Sequence, residues 1–169
     1  KIVQYIEACK KMGIEVLPPA VNESYNEFTC VGKHIRFGLA AIKNVGGVAI
    51  ESIIASRTKD GPFKNFFEFV QRVDLRVCNR KVLESLIKCG AFDEWNLHRS
   101  QLMAVLDGAL EMGSSLQKDR NRGQMSFFES DGTRDAFHDE SGTIPDIPEW
   151  PENQCLAYER ELIGFYVSS

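Results

Sequence analysis

Lys43-Asn44-Val45-Gly46-Gly47-Val48-Ala49 is the stretch of this sequence best suited to hold an anion. Adjacent glycines between two helix-prone segments make a tight turn that can present successive main-chain N–H groups. Glycine tolerates positive φ and lets a phosphate approach with no Cβ in the way, and the N-terminus of the following helix adds partial positive charge. Lys43, Lys59 and Lys64 add screened attraction from nearby in the sequence. Contacts of this type read a sugar-phosphate backbone and carry no base-sequence information. The same spacing also describes an ordinary helix-to-helix connection with glycine as a C-terminal cap, and the turn alone does not choose between the two. A more degenerate copy lies in Leu86-Ile87-Lys88-Cys89-Gly90-Ala91-Phe92-Asp93, with a helix beginning near His98.

Gln124-Met125-Ser126-Phe127-Phe128 is an apolar island with one leading amide, set in acidic, polar surroundings. Aromatic anchors can fill a preformed pocket on a partner while the amide fixes register. Equally, Phe127 and Phe128 can fold back onto the chain's own helices. Catalytic chemistry finds little support. Metal-dependent phosphoryl transfer needs clustered carboxylates, and no Asp-x-Asp occurs, while Asp93-Glu94 and Asp139-Glu140 are adjacent acids without convergent partners. Cys9, Cys30, Cys78, Cys89 and Cys155 form no Cys-x-x-Cys pair, and with dispersed His34, His98 and His138 they offer no zinc spacing. Reduced, mostly buried thiols are expected.

The elements that must position these residues are mainly helical. Apolar spacing predicts a helix over 2–12 stopped by Gly13, and an extended connector into Pro18-Pro19. One small β-hairpin is expected from Phe28–Val31 and Ile35–Phe37 around Gly32-Lys33-His34. Helices follow over Leu39–Asn44 and Val48–Arg57, after an Asn65 cap, after an Asn79 cap with Val82, Leu83, Leu86 and Ile87 on one face, and from about His98 with Leu102, Val105, Leu106, Ala109 and Leu110. Beyond Gly113 the chain turns polar and reads as a tether, and helix signals resume after Trp150-Pro151.

At 169 residues and 43% hydrophobic, the chain can bury a core of its own. Its net charge of −4 is uneven: residues 1–110 hold 15 Lys and Arg against 12 Asp and Glu, and residues 111–169 hold 5 against 12. The first part permits backbone binding without demonstrating it. No apolar run is long enough to span a bilayer, and nothing resembles a signal peptide. With Lys1 in place of an initiator Met, the sequence reads as an internal piece of a longer protein.

Several ordered segments are together similar to the alpha subunit of bacterial DNA polymerase III, a C-family replicative polymerase. They include Met12-Gly13-Ile14-Glu15-Val16-Leu17-Pro18-Pro19, Ile35 through Gly46, Gly61-Pro62-Phe63, Leu83 through Asp93, and Glu161-Leu162-Ile163-Gly164-Phe165-Tyr166. The turn itself resembles the helix-hairpin-helix motif, with Asn44 where the motif has its first Gly and Ile50 where it has Ala. The resemblance implies the end of a fingers region with a short β-hairpin over 1–36, and a tandem helix-hairpin-helix DNA-binding domain over 37–112. A flexible linker over 113–149 and a helix over 150–169 leading to an oligonucleotide-binding fold would follow.

The implied partners are duplex DNA at Lys43, Asn44, Val45, Gly46, Gly47, Val48 and Ala49, and a sliding clamp at Gln124, Met125, Ser126, Phe127 and Phe128. The latter has Phe127 where the family more often has Leu. Other polymerase III subunits would be reached through the parent, in the bacterial cytoplasm with no membrane. No catalytic residue or cofactor is expected here, although the parent would be a DNA-directed DNA polymerase using Mg²⁺. Two alternatives remain: a helix-hairpin-helix module of a repair nuclease or helicase, and a structural scaffold that binds no DNA.

Overall fold

The computed structural model describes residues 2–121 and 144–166. Helix α1 (Ile2–Lys11) buries Ile6 and stops at Gly13, whose φ of +73° suits the glycine-favouring left-handed region. A three-stranded sheet follows: β1 (Val16–Leu17), β2 (Thr29–Val31) and β3 (His34–Arg36). β2 and β3 form the expected antiparallel hairpin, with Cys30 opposite Ile35. The single strand pair expected from sequence is incomplete, because β1 lies parallel to β3 with Val16 opposite Ile35. Gly38 then passes so near another main-chain segment that a Cβ would sit 2.5 Å from the Glu27 carbonyl carbon, so no larger residue fits there.

The expected helix over Leu39–Asn44 is only a 3-10 turn, Leu39–Ala41. α2 (Gly47–Asp60) then runs through Lys59-Asp60 to Gly61 at φ +83°. α3 (Phe66–Arg72) and α4 (Arg80–Lys88) begin at the expected caps. Asn65 Oδ1 accepts from the Glu68 N–H at 2.8 Å, and Asn79 Oδ1 from the Val82 N–H at 3.1 Å.

α5 (Arg99–Asn121) does not end at Gly113. That glycine lies mid-helix where α5 crosses α3: a Cβ there would be 2.8 Å from Val70 Cγ1 and 2.9 Å from Leu75 Cδ1. One turn on, Gln117 Nε2 donates to the Val73 carbonyl at 2.7 Å. α6 (Glu152–Ile163) packs on α4 and buries Cys155, Glu159, Leu162 and Ile163.

One apolar core joins these elements, from Phe37 beside the sheet to Leu162 and Ile163 of α6. Its centre is aromatic: Phe69 meets Phe63 at 4.7 Å and Phe92 at 5.0 Å, both edge to face. None of the helices among the described residues is long and apolar enough to cross a membrane.

Candidate nucleic-acid interface

The turn before α2 is open to solvent, and the residue that bends it is not a glycine. Asn44 adopts φ +71°, a conformation that asparagine tolerates better than most residues. Asn44 therefore supplies the backbone shape that the motif's first Gly would supply. Its side-chain amide donates to Ser85 Oγ of α4 at 3.3 Å, so it also ties the turn to the neighbouring helix. Gly46, by contrast, has φ −83° and ψ 163°, which any residue can adopt, and it is the N-cap of α2 rather than the C-cap of a preceding helix.

A Cβ added at Gly46 or Gly47 would meet nothing within 4 Å. Neither fold packing nor backbone strain requires a glycine at these positions, and without a Cβ they leave the turn open to close approach. The first turn of α2 has no side-chain cap and no acidic residue. Its N–H groups are the donors a helix leaves unspent at its start, which with the helix dipole favours an anion. The starts of α3 to α6 are occupied: Asn65 and Asn79 cap α3 and α4, the Glu149 carboxylate accepts from the Arg99 and Ser100 N–H groups at α5, and Glu152 stands in the first turn of α6.

Among the expected contact residues, Lys43, Asn44, Gly46, Gly47 and Val48 are exposed, and Val48 is 63% so. Val45 and Ala49 are buried at 6% and 3%, so their side chains belong to the core and only their main chain lines the turn. Lys59 and Lys64 are not near it. Lys59 is at the far end of α2, about 18 Å along the axis from Gly47 at the usual helical rise, and Lys64 lies beyond that end.

Lys81 is a basic residue that the sequence reading did not include. It is exposed on α4, four residues before Ser85, and Cys78 just ahead of α4 donates its thiol to the Ala49 carbonyl at 3.6 Å. Only the fold reveals Lys81, since nearly forty positions separate it from the turn.

The second turn, between α4 and α5, is closed. Gly90 has φ +86°, and a Cβ there would lie 2.5 Å from Arg99 Nη2. Arg99 is 4% exposed and its guanidinium donates to Glu159 Oε1 at 2.8 Å, Asp93 Oδ2 at 2.9 Å and the Lys88 carbonyl at 3.2 Å. Burial alone would lower the Arg99 pKa, but hydrogen bonds and charge from Asp93 and Glu159 hold it well above its usual value. An internal cation and its carboxylates thus occupy the place where a phosphate would have to enter.

Gln124, Met125, Ser126, Phe127 and Phe128 lie outside the described residues. The described chain beyond them is fixed to the domain, with Pro145 O accepting from Gln101 Nε2 at 2.9 Å and Pro148 O from Ser100 Oγ at 2.8 Å. No group of three or more His, Cys, Asp or Glu among the described residues is arranged to hold a metal ion.

These features define a helical module with one exposed, uncapped glycine turn and one sealed turn. Residues 13–102 match the family model described as a helix-hairpin-helix motif, and the chain belongs to that family. Over its whole length it is similar to DNA polymerase III subunit alpha of several bacteria. It is 40% identical to that of Saccharopolyspora erythraea, with 100% of this chain and 14% of the relative aligned. The Mycobacterium tuberculosis protein is 41% identical, with 99% of this chain and 14% of the relative covered. That of Vibrio cholerae is 37% identical over the same shares. The chain thus spans about one seventh of the length of these curated relatives, as an internal helix-hairpin-helix segment would.

Proposed function

We propose that this chain is the part of a bacterial replicative DNA polymerase alpha subunit that grips the backbone of duplex template-primer and tethers the enzyme to its sliding clamp. The observation that carries the first half is the outward-facing Gly46-Gly47 pair at an uncapped, acid-free helix start flanked by Lys43. Main-chain N–H groups of α2 would donate to phosphate oxygens, with Lys43 adding charge at the turn and Lys81 from the face of α4 that carries Ser85. Such contacts hold register on the duplex without selecting sequence. The tether half rests on the pattern of Gln124 to Phe128 and on the similarity to polymerase III alpha subunits. A second attachment raises the local concentration of polymerase at the primer end, so even a weak peptide prolongs residence. On this reading the Mg²⁺-dependent nucleotidyl transfer belongs to other parts of the parent enzyme, which works with further polymerase III subunits in the bacterial cytoplasm.

Fluorescence anisotropy of a labelled duplex tests the grip. Binding should weaken as salt rises, with a log–log slope of about one per phosphate contacted. Gly46→Asp should weaken it by about tenfold or more through like-charge repulsion. Asp is a good N-cap and meets no neighbour at this position, so the same variant should be at least as stable as the parent chain. Salt-insensitive binding, or unchanged affinity in this variant, would remove the basis of the reading. Calorimetric titration with the clamp, comparing the parent chain with a Gln124→Ala, Phe127→Ala, Phe128→Ala variant, tests the tether. Equal binding by both would reject it.

A further inference from the structure

The open turn does not hold its shape alone. The Lys43 N–H, at the head of the turn, donates to the Leu162 carbonyl at 2.8 Å. Leu162 is in the last turn of α6, where helix carbonyls have no partner within the helix. A donor the turn must satisfy and an acceptor the helix must satisfy therefore meet each other. Ile42, Val45, Leu162 and Ile163 pack in the same core, and Phe165 just past α6 contacts Phe37 at 5.2 Å. The end of α6 is the abutment of the turn.

The register of α6 is set less than one helical turn earlier. Glu159 is fully buried, and its carboxylate receives the Arg99 guanidinium at 2.8 Å. Arg99 is itself fixed by Asp93, the Lys88 carbonyl and the space left by Gly90, all at the closed turn. Lys88 adds a contact over the Tyr158 ring at 4.6 Å. A buried ion pair has a strict geometry, because a displaced partner is left as an uncompensated charge. The pair thus fixes α6 along its axis more sharply than apolar packing alone can.

We infer that Arg99 and Glu159 are positioning residues for the open turn: the sealed turn docks α6, and α6 presents the Leu162 carbonyl that fixes Lys43 and the glycines behind it. The two turns then act as one unit, one spending its charge internally so that the other keeps a set shape for phosphate. This inference rests on the reading of the open turn as the backbone-binding surface.

The test is Glu159→Gln in the 169-residue chain, followed by amide hydrogen exchange and by duplex titration below the melting temperature. Exchange at the Lys43 amide should speed up by about tenfold, the scale of one lost hydrogen bond, while the Leu83 and Leu86 amides of α4 stay protected. Duplex affinity should fall by about fivefold, again the scale of a single hydrogen bond. Removing a negative charge would by itself strengthen binding to DNA, so a loss runs against the electrostatic trend.

Gly164→Val is the second variant, and it decides the matter if Glu159→Gln does not fold. Gly164 has φ +85° and a Cβ there would meet nothing within 4 Å, so a β-branched residue acts chiefly by opposing the conformation that ends α6 beside Leu162. It should release the Lys43 amide in the same way. Unchanged Lys43 exchange, or affinity equal to or above that of the parent chain, overturns the inference. Gly46→Asp is run alongside: if it too leaves binding unchanged, the backbone reading has failed, and the Lys43 exchange rate alone judges whether α6 sets the turn.

Discussion

The two glycine-bearing turns of this chain differ in what they do with their donors. At the first, Asn44 takes the left-handed conformation, the glycines face outward, and the helix start is neither capped nor acidic. At the second, a glycine takes the left-handed conformation, its open side is filled by Arg99, and the helix start is capped by Glu149. On the proposed reading, a hairpin's capacity for phosphate depends on whether its donors are already spent, and not on the presence of glycine. At the second turn the Glu149 carboxylate already accepts from the helix-start N–H groups that a phosphate would otherwise take.

The comparison breaks most visibly at Arg99. Replacing it with Met leaves Glu159 buried without its cation, and thermal or urea unfolding should show a loss of about 3–5 kcal/mol. A loss well under 1 kcal/mol would mean that the sealed turn is not held by this pair.

Next in size is a matched pair of glycine variants. Gly90→Ala forces a Cβ to 2.5 Å from the guanidinium at φ +86°, and should cost on the order of 1–3 kcal/mol. Gly46→Ala meets no neighbour at an ordinary φ of −83°, and should change stability by no more than about 0.5 kcal/mol. Equal costs at the two sites would erase the distinction between the turns.

A modest, pH-dependent effect is expected at Glu149. Burial pushes its carboxyl up, and the N–H groups of Arg99, Trp150 and Ser100, with His98, pull it further down, leaving it below the ordinary 4.5. A depressed carboxyl contributes stability above its unfolded value, and loses it as pH falls through its folded one. Glu149→Gln should therefore be less stable than the parent by about 1 kcal/mol at neutral pH, as for a lost cap. That gap should close as pH drops below 4.5. A gap independent of pH would assign the cap to shape alone.

Much of the architecture was legible where the signal was local. Asn65 and Asn79 stand just before apolar runs and cap as their types require, and the apolar face of α4 follows its spacing. Signals carried by distant partners were not legible. β1 is two residues long, and its pairing with β3 depends on a segment about twenty residues away. Gly113 reads as a stop until Val70 is seen against it. Glu159 sits in a helix pattern where an acid normally faces water, and the distant Arg99 guanidinium is what its burial serves. At the candidate site the sequence located the turn correctly but gave the glycines a conformational task that Asn44 performs. It also placed Lys59 and Lys64 beside the turn, because nearness along a chain is not nearness across a helix.

The hydrogen bond from Lys43 to Leu162 also has a bearing on the order of assembly. Its two ends are roughly 120 residues apart, so the turn is stitched by one of the longest-range contacts among the described residues. On a ribosome adding about 5–20 residues per second, the glycines emerge many seconds before the carbonyl that fixes them. The turn therefore reaches its final shape only after α6 has been made.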